Sequence, residues 1–434
     1  MNLITKPKKR KSPWAVLIAI VLAMIIGSWT GTTGGLWGVT FYSIYDLLGK
    51  LFLNALTLIV VPLVSASIIT GVARIGGESN MGRLGIKMFS FYILTSLLAI
   101  LIGLFLVNTL MPGKGFPFDT SNLTDQAQIA QLKQHLSTGE AHSFTDLILQ
   151  IIPSNVIQTF GEAKMLGLIF FSFIFGFAIS KIESAASSFL YQFSDAIFKA
   201  MIFITHLVMK VLPLGVFCLV AKVFAETGIK SLGNLTIFFF TVLCGLAIFM
   251  FVVLPLLLKF IARVNPINHF RAMMPALITA FSTSSSAASL PITLDCVEKR
   301  AGVSNRISSI VIPLGTSINL SGSALYECVA AMFVIQAYGI DLSFGSQLVF
   351  LFTTLLTSMG VAGIPSGSLV AIIVILKAMG IPVEGIGLFI AVDRILDMCR
   401  TTTNVFSDSV CAVLVAATEG EKNLLQKKKF TEEE

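Results

Sequence analysis

Of 434 residues, 55% are hydrophobic and only 12% are charged, and the mean hydropathy is +0.88. Soluble domains carry roughly 25% charged residues, so this composition excludes a soluble globular protein; no alternation typical of membrane barrel strands is seen either. The net charge of +7 falls in the gaps between apolar runs, which makes it an orienting signal and not a nucleic-acid surface.

In chain order, the basic opening "KPKKRK" precedes a first apolar run at Trp14 that lacks a small-x-small cleavage site. It therefore reads as an anchoring span and not as a removed signal. Full spans are expected at 14–34, 45–74, 85–111, 146–180, 193–225, 231–261, 307–338 and 387–416, each at least as long as the ~20 residues needed to cross a bilayer core. A polar insert, 112–145, reads as an extracytoplasmic loop. Two further apolar stretches, 268–300 and 345–379, break in the middle and read as re-entrant helical hairpins, the first entering from inside and the second from outside. The expected class is an all-α polytopic membrane protein of eight transmembrane helices plus two hairpins, in inverted repeats.

Arg74, Arg83, Lys87, Lys181, Lys259, Arg263, Arg271, Lys299, Arg300 and Arg306 then share one side with the N-terminal segment 1–13 and the tail 417–434. That side is cytoplasmic by the positive-inside rule. Cys218, Cys244, Cys296, Cys328, Cys399 and Cys411 form no C-x-x-C pair, and the four histidines share no ligand spacing. They read as buried small hydrophobes and structural side chains, without a disulfide framework or a histidine–cysteine metal centre.

The broken stretches carry "FSTSSSAASLP" (281–291) and "SMGVAGIPSGSLV" (358–370). Each is followed by a span with its own polar break, "TSINLSGS" (316–323) and "TTTNVFSDS" (401–409). One such cluster would be an ordinary Gly- or Ser-rich helix contact. A matched pair in two halves points to a transporter's binding site, because irregular backbone at membrane depth survives only where protein or a water-filled cavity satisfies it.

The last span is the most informative. Asp393, Asp397, Arg400, Asn404 and Asp408 fall within roughly 80° of arc on a helix turning ~100° per residue, with Arg394 at the edge. An internal ion pair of Asp397 with Arg400 would account for two of these charges; the rest of the stripe calls for a ligand. Asp397 suits an ammonium, Arg400 a carboxylate clamped by two parallel hydrogen bonds, and Asn404 a second carboxylate. Aspartate and glutamate carry this set of groups. Asp408 is left for a small hard cation, which takes oxygen ligands. A neutral amino acid carrier would not need Arg400, and a C4-dicarboxylate carrier would not need Asp397. An intramembrane aspartyl protease would put its aspartates on facing spans, with a G-x-G-D motif absent here. An anion channel fits an occluded stripe less well, and a purely structural scaffold leaves the charges without purpose.

"STSSSAASLP", "PLGTSINLSGSALYE", "GVAGIP" and "VDRILDMCRTTTNVFSDS" resemble the dicarboxylate/amino acid:cation symporters, the glutamate transporter family. The resemblance implies a homotrimer; the absence of an organellar transit pattern and the compact length point to a bacterial inner membrane. The resemblance also implies a static scaffold and an elevator-like transport domain centred on 268–416, to which the first six helices contribute in part. It assigns substrate contacts to Ser286, Ser323, Gly363, Ile364, Asp397, Arg400, Thr401 and Asn404. For sodium it implies Gly315, Asn319, Asn404 and Asp408 as one site. Ser317, Ser358, Met359 and Val361 form a second, and Tyr92, Thr95, Ser96 and Asn319 a third. Two departures stand out. Ser321 replaces the family's aspartate, which weakens the third site, and Ser368 stands where glycine is common. Glu327 falls where some members carry a protonatable glutamate. The expectation is an acidic amino acid symporter driven by sodium with fewer ions than the family maximum, or by protons.

Overall fold

The computed structural model describes residues 14–36, 38–76, 82–116, 152–162, 165–208, 210–228, 232–360, 367–421 and 424–425. Gly363, Ile364 and Val361, assigned above to substrate and sodium, lie outside the described residues. Among the described residues the secondary structure is helical apart from one two-residue ladder, Gly35–Leu36 with Val39–Thr40. The first part comprises α1 (Trp14–Thr30), α2 (Phe41–Gly76), α3 (Gly82–Leu110), α4 (Val156–Gly161), α5 (Met165–Ile179), α6 (Ser184–Val208) and α7 (Leu212–Thr227). It continues into α8 (Leu232–Ile248), which is extended by wider turns through 262. The second part comprises α9 (Pro266–Thr283), α10 (Ser286–Asp295), α11 (Asn305–Ile318), α12 (Ser321–Ala337), α13 (Phe344–Gly360), α14 (Gly367–Ala378) and α15 (Gly387–Thr418).

Three helical stretches among the described residues are long and apolar enough to cross a bilayer: Arg83–Leu110, Gly233–Ala262 and Asn305–Ala337. Large side chains such as Ile86, Phe105, Phe251 and Phe260 point outward on them, the pattern of a surface whose solvent is lipid.

Two packing groups are evident. In one, α1 lies along α7, and α2 packs on α5, α6 and α7. In the other, α12 is enclosed by α3, α8, α13, α14 and α15. Every residue of α12 from Ser321 to Ile335 is buried, and α14 is buried through Leu376. A helix that is buried all round belongs to the interior. Both broken stretches form packed pairs, α9 with α10 and α13 with α14. In the first pair the turn is set by Ser284 in the left-handed region (φ 48°) and by Ser285, whose hydroxyl caps the backbone N–H of Ala288.

Three expectations need correction. The run 193–225 is not one span: α6 starts earlier, at Ser184, and α7 begins anew at Leu212. Pro213 sits in the first turn of α7, where its missing N–H costs nothing, whereas within a continuous helix it would remove a hydrogen bond. The described part of 146–180 forms two helices, α4 and α5, instead of one. Nor is 401–409 a break. α15 runs straight through it, because Thr402, Thr403 and Ser409 return their hydroxyls to the carbonyls of Met398, Cys399 and Phe406. Residues 316–323 do break the chain, at Asn319 and Leu320, both of which leave helical geometry.

The cytoplasm-assigned ends are tied together. Lys87 donates to the Thr418 carbonyl (2.7 Å) and to Glu419, Ser304 bonds to Glu421, and the Leu425 N–H reaches the Ala301 carbonyl. The Lys87 hydrogen bond holds the Glu419 carboxyl below its ordinary range. This tie is therefore intact at neutral pH and is lost only as pH falls through that lowered value.

Close helix approach fixes the other group. A Cβ on Gly27 of α1 would lie 2.4 Å from the Ala221 carbonyl oxygen of α7. Gly27→Ala is expected to lower stability by about 1–3 kcal/mol, read as a lower unfolding midpoint of the detergent-purified protein.

Candidate substrate and cation site

The charged face of α15 is interior, as its amphipathic stripe requires: Asp393, Asp397, Arg400, Asn404 and Asp408 are all buried, Arg400 to 1% exposure. Arg400 donates to Asp393 (2.9 Å) and to Asp397 (2.8 Å), while Arg394 lies 3.5 Å from Asp397. The internal ion pair weighed above is present and goes further than its two charges, since four side chains are engaged. Asp393, to which no role was assigned, is a full partner of Arg400 seven residues away. The guanidinium also lies 4.0 Å above the ring of Tyr326, a cation–π contact that is strong when desolvated.

One turn on, Asn404 of α15 caps the start of α12. Its Oδ1 accepts from the N–H groups of Gly322 (2.8 Å) and Ser323 (3.2 Å), and its Nδ2 donates to the Ser323 hydroxyl (3.0 Å). This satisfies amides that a helix start leaves unpaired. The approach is close at Gly322, where a Cβ would sit 3.0 Å from the Arg400 carbonyl oxygen and its neighbours would have to give way. One amide hydrogen of Asn404 is then left for another acceptor.

The break between α11 and α12 puts a carbonyl-bearing helix end beside Asp408. Asn319 Nδ2 donates to Asp408 Oδ1 (2.9 Å), while Asp408 Oδ2 is buried with no hydrogen-bond partner. An uncompensated buried carboxylate is costly, so Asp408 requires a cation or a proton. Gly315 approaches so closely that a Cβ there would lie 2.6 Å from Asp408 Oδ1. Gly315→Ala is therefore expected to displace the carboxylate and lower stability by about 1–3 kcal/mol, read as a lower thermal unfolding midpoint.

Of the third sodium set, Thr95 Oγ1 lies 3.0 Å from Asn319 Oδ1, which also accepts from Ser321 Oγ (2.8 Å). Tyr92 donates to the Val311 carbonyl of α11, and Ser96 is buried on α3. Two members absent from the sequence assignment join here: Ser407 Oγ, 3.1 Å from Ser321 Oγ, and Cys411 Sγ, 3.7 Å from Asn319 Nδ2. Of the second set, Ser358 is buried and returns its hydroxyl to the Leu355 carbonyl, Met359 and Ser317 are half-buried, and α11 packs on α13.

Ser286 opens α10 and is buried, as are Ser323 and Thr401. Glu327 is buried on α12 between Ser368 of α14 and Arg400, with its Oε2 unpartnered. Glu327 and the departure at Ser368 are thus neighbours.

The arrangement sets a buried guanidinium and a capped helix start next to a buried carboxylate with an unpartnered oxygen, all within one core. Comparison with known proteins agrees. The sodium:dicarboxylate symporter family description matches residues 13–418. Over 421 residues the chain is 33% identical to the proton/sodium-glutamate symport protein of Bacillus caldotenax, spanning 97% of each. It is 33% identical over 416 residues to the proton/glutamate-aspartate symporter of Escherichia coli (strain K12), covering 94% of this chain and 92% of that one. It is 32% identical over 454 aligned positions to excitatory amino acid transporter 3 of Oryctolagus cuniculus, covering 92% and 84%.

Proposed function

The chain belongs to the sodium:dicarboxylate symporter family, and we propose that it carries glutamate and aspartate across its membrane together with sodium, protons or both. It is a multi-pass membrane protein. The observation that carries the substrate is the α15 face, where Asp397 and Arg400 sit one turn apart and Asn404 one turn beyond. In this reading the substrate ammonium pairs with Asp397. Its side-chain carboxylate takes over donors of Arg400 that now serve Asp393 and Asp397. The α-carboxylate takes the remaining amide hydrogen of Asn404. Thr401, Ser323 and Ser286, with Gly363 and Ile364 of the second tip, complete the pocket.

Sodium would be held at Gly315, Asn319, Asn404 and Asp408, and at Ser317, Ser358, Met359 and Val361. The oxygen donors and the unpartnered Asp408 Oδ2 suit a hard monovalent ion. Tyr92, Thr95, Ser96 and Asn319 form a third set that has Ser321 in place of a carboxylate, and Glu327 would be a proton site. The wider architecture follows the same reading: eight spans and two hairpins, both termini cytoplasmic, a homotrimer in the bacterial inner membrane, and a core of 268–416 moving against a scaffold.

Labelled L-glutamate and L-aspartate uptake into proteoliposomes, under an imposed sodium gradient or an imposed proton gradient, tests this. Gradient-dependent accumulation of either substrate supports it. Uptake driven by protons alone would move coupling to Glu327, and uptake of only neutral amino acids or dicarboxylates would overturn the substrate assignment.

A further inference from the structure

Thr95, Asn319, Ser321, Ser407, Asp408 and Cys411 form one buried network drawn from α3, the α11–α12 break and α15. Its only charged member is Asp408, and both Asp408 and Ser321 are fully enclosed. The single carboxylate on α12, Glu327, faces Ser368 and Arg400 instead. Ser321 and Ser407 are paired at 3.1 Å, and Ser321 also donates to Asn319. The position that could supply a second charge is therefore filled by a hydroxyl already committed to its neighbours.

Charge balance sets the capacity of such a pocket. One monovalent cation neutralises Asp408. A second, bare and surrounded by hydroxyls and amides alone, would leave a net positive charge in a dry interior, where an unpaired charge is strongly disfavoured. Resting on the symport reading above, we propose that this network takes a single monovalent cation per substrate. The Ser321–Ser407 pair is what limits it, Ser407 being the positioning residue that holds the Ser321 hydroxyl.

The test counts cations. Proteoliposomes carrying the full-length protein are held at set membrane potentials and at set sodium and proton gradients, and the potential at which labelled substrate flux reverses gives the number of cations per substrate. Ser321→Asp is expected to raise that number by one and to steepen the dependence of thermal unfolding on sodium concentration; Ser321→Asn, similar in shape but neutral, should change neither. Asp408→Asn is expected to lower the number by one. An unchanged count in a folded Ser321→Asp protein, or a fall of two in Asp408→Asn, would overturn the inference. Wild-type flux indifferent to both gradients would instead overturn the symport reading itself.

Discussion

Arg400→Cys should abolish uptake of glutamate and aspartate and admit neutral amino acids. Arg400 is the only buried cation among the described residues on the face that would meet a substrate carboxylate. Removing one member of a desolvated charge pair costs about 2–5 kcal/mol, which is on the order of 30- to several-thousand-fold in affinity. The variant also leaves Asp393 and Asp397 facing each other without their shared partner, a loss of about 3–5 kcal/mol in stability. Adding Asp393→Asn should restore much of that stability without restoring acidic uptake. This separates a pocket defect from a folding defect when thermal unfolding and competition by serine or alanine are measured together. Unchanged aspartate affinity in Arg400→Cys would sink the assignment.

Asp397→Asn is expected to remove transport of amino acids of every kind, by on the order of a hundredfold or more, because the ammonium partner loses its charge. Arg400 keeps Asp393, but Arg394 loses its carboxylate. Binding of a substrate analogue that lacks the amine should be far less affected. Equal losses for the analogue and the amino acid would point to a collapsed site.

Much of this was legible because charge and backbone breaks stand out against lipid-like sequence. The α15 stripe, the serine-rich turn at 284–285 and the break at Asn319 are polar features in apolar surroundings, and each occupies the place read for it. What stayed hidden has physical causes. Residues 193–225 carry Asp195, Lys199, His206, Lys210 and Lys222 in otherwise apolar sequence, and the restart at Leu212 is marked only by Lys210 and Pro213. Residues 401–409 look like a break, yet hydroxyls that bond back along the helix satisfy themselves without disturbing it. Tyr326 beneath Arg400 and Ser407 beside Ser321 come from another helix or face another helix, so no local pattern announces them. Asp393 was visible as part of the stripe. Its partnership with Arg400 spans two helical turns, beyond the i, i+3 and i, i+4 pairs by which ion pairs are read from sequence.

The four side chains joined around Arg400 have an electrical consequence. Two aspartates and two arginines sum to zero, so under the proposed movement of the core these four side chains would cross a membrane field without work. Each uncompensated elementary charge would feel about 2.3 kcal/mol per 100 mV. Voltage sensitivity would then belong to Asp408 and Glu327 outside the cluster, to whatever cation or proton each one holds, and to the single net negative charge of a bound acidic amino acid. The pocket's own four side chains would add nothing to it.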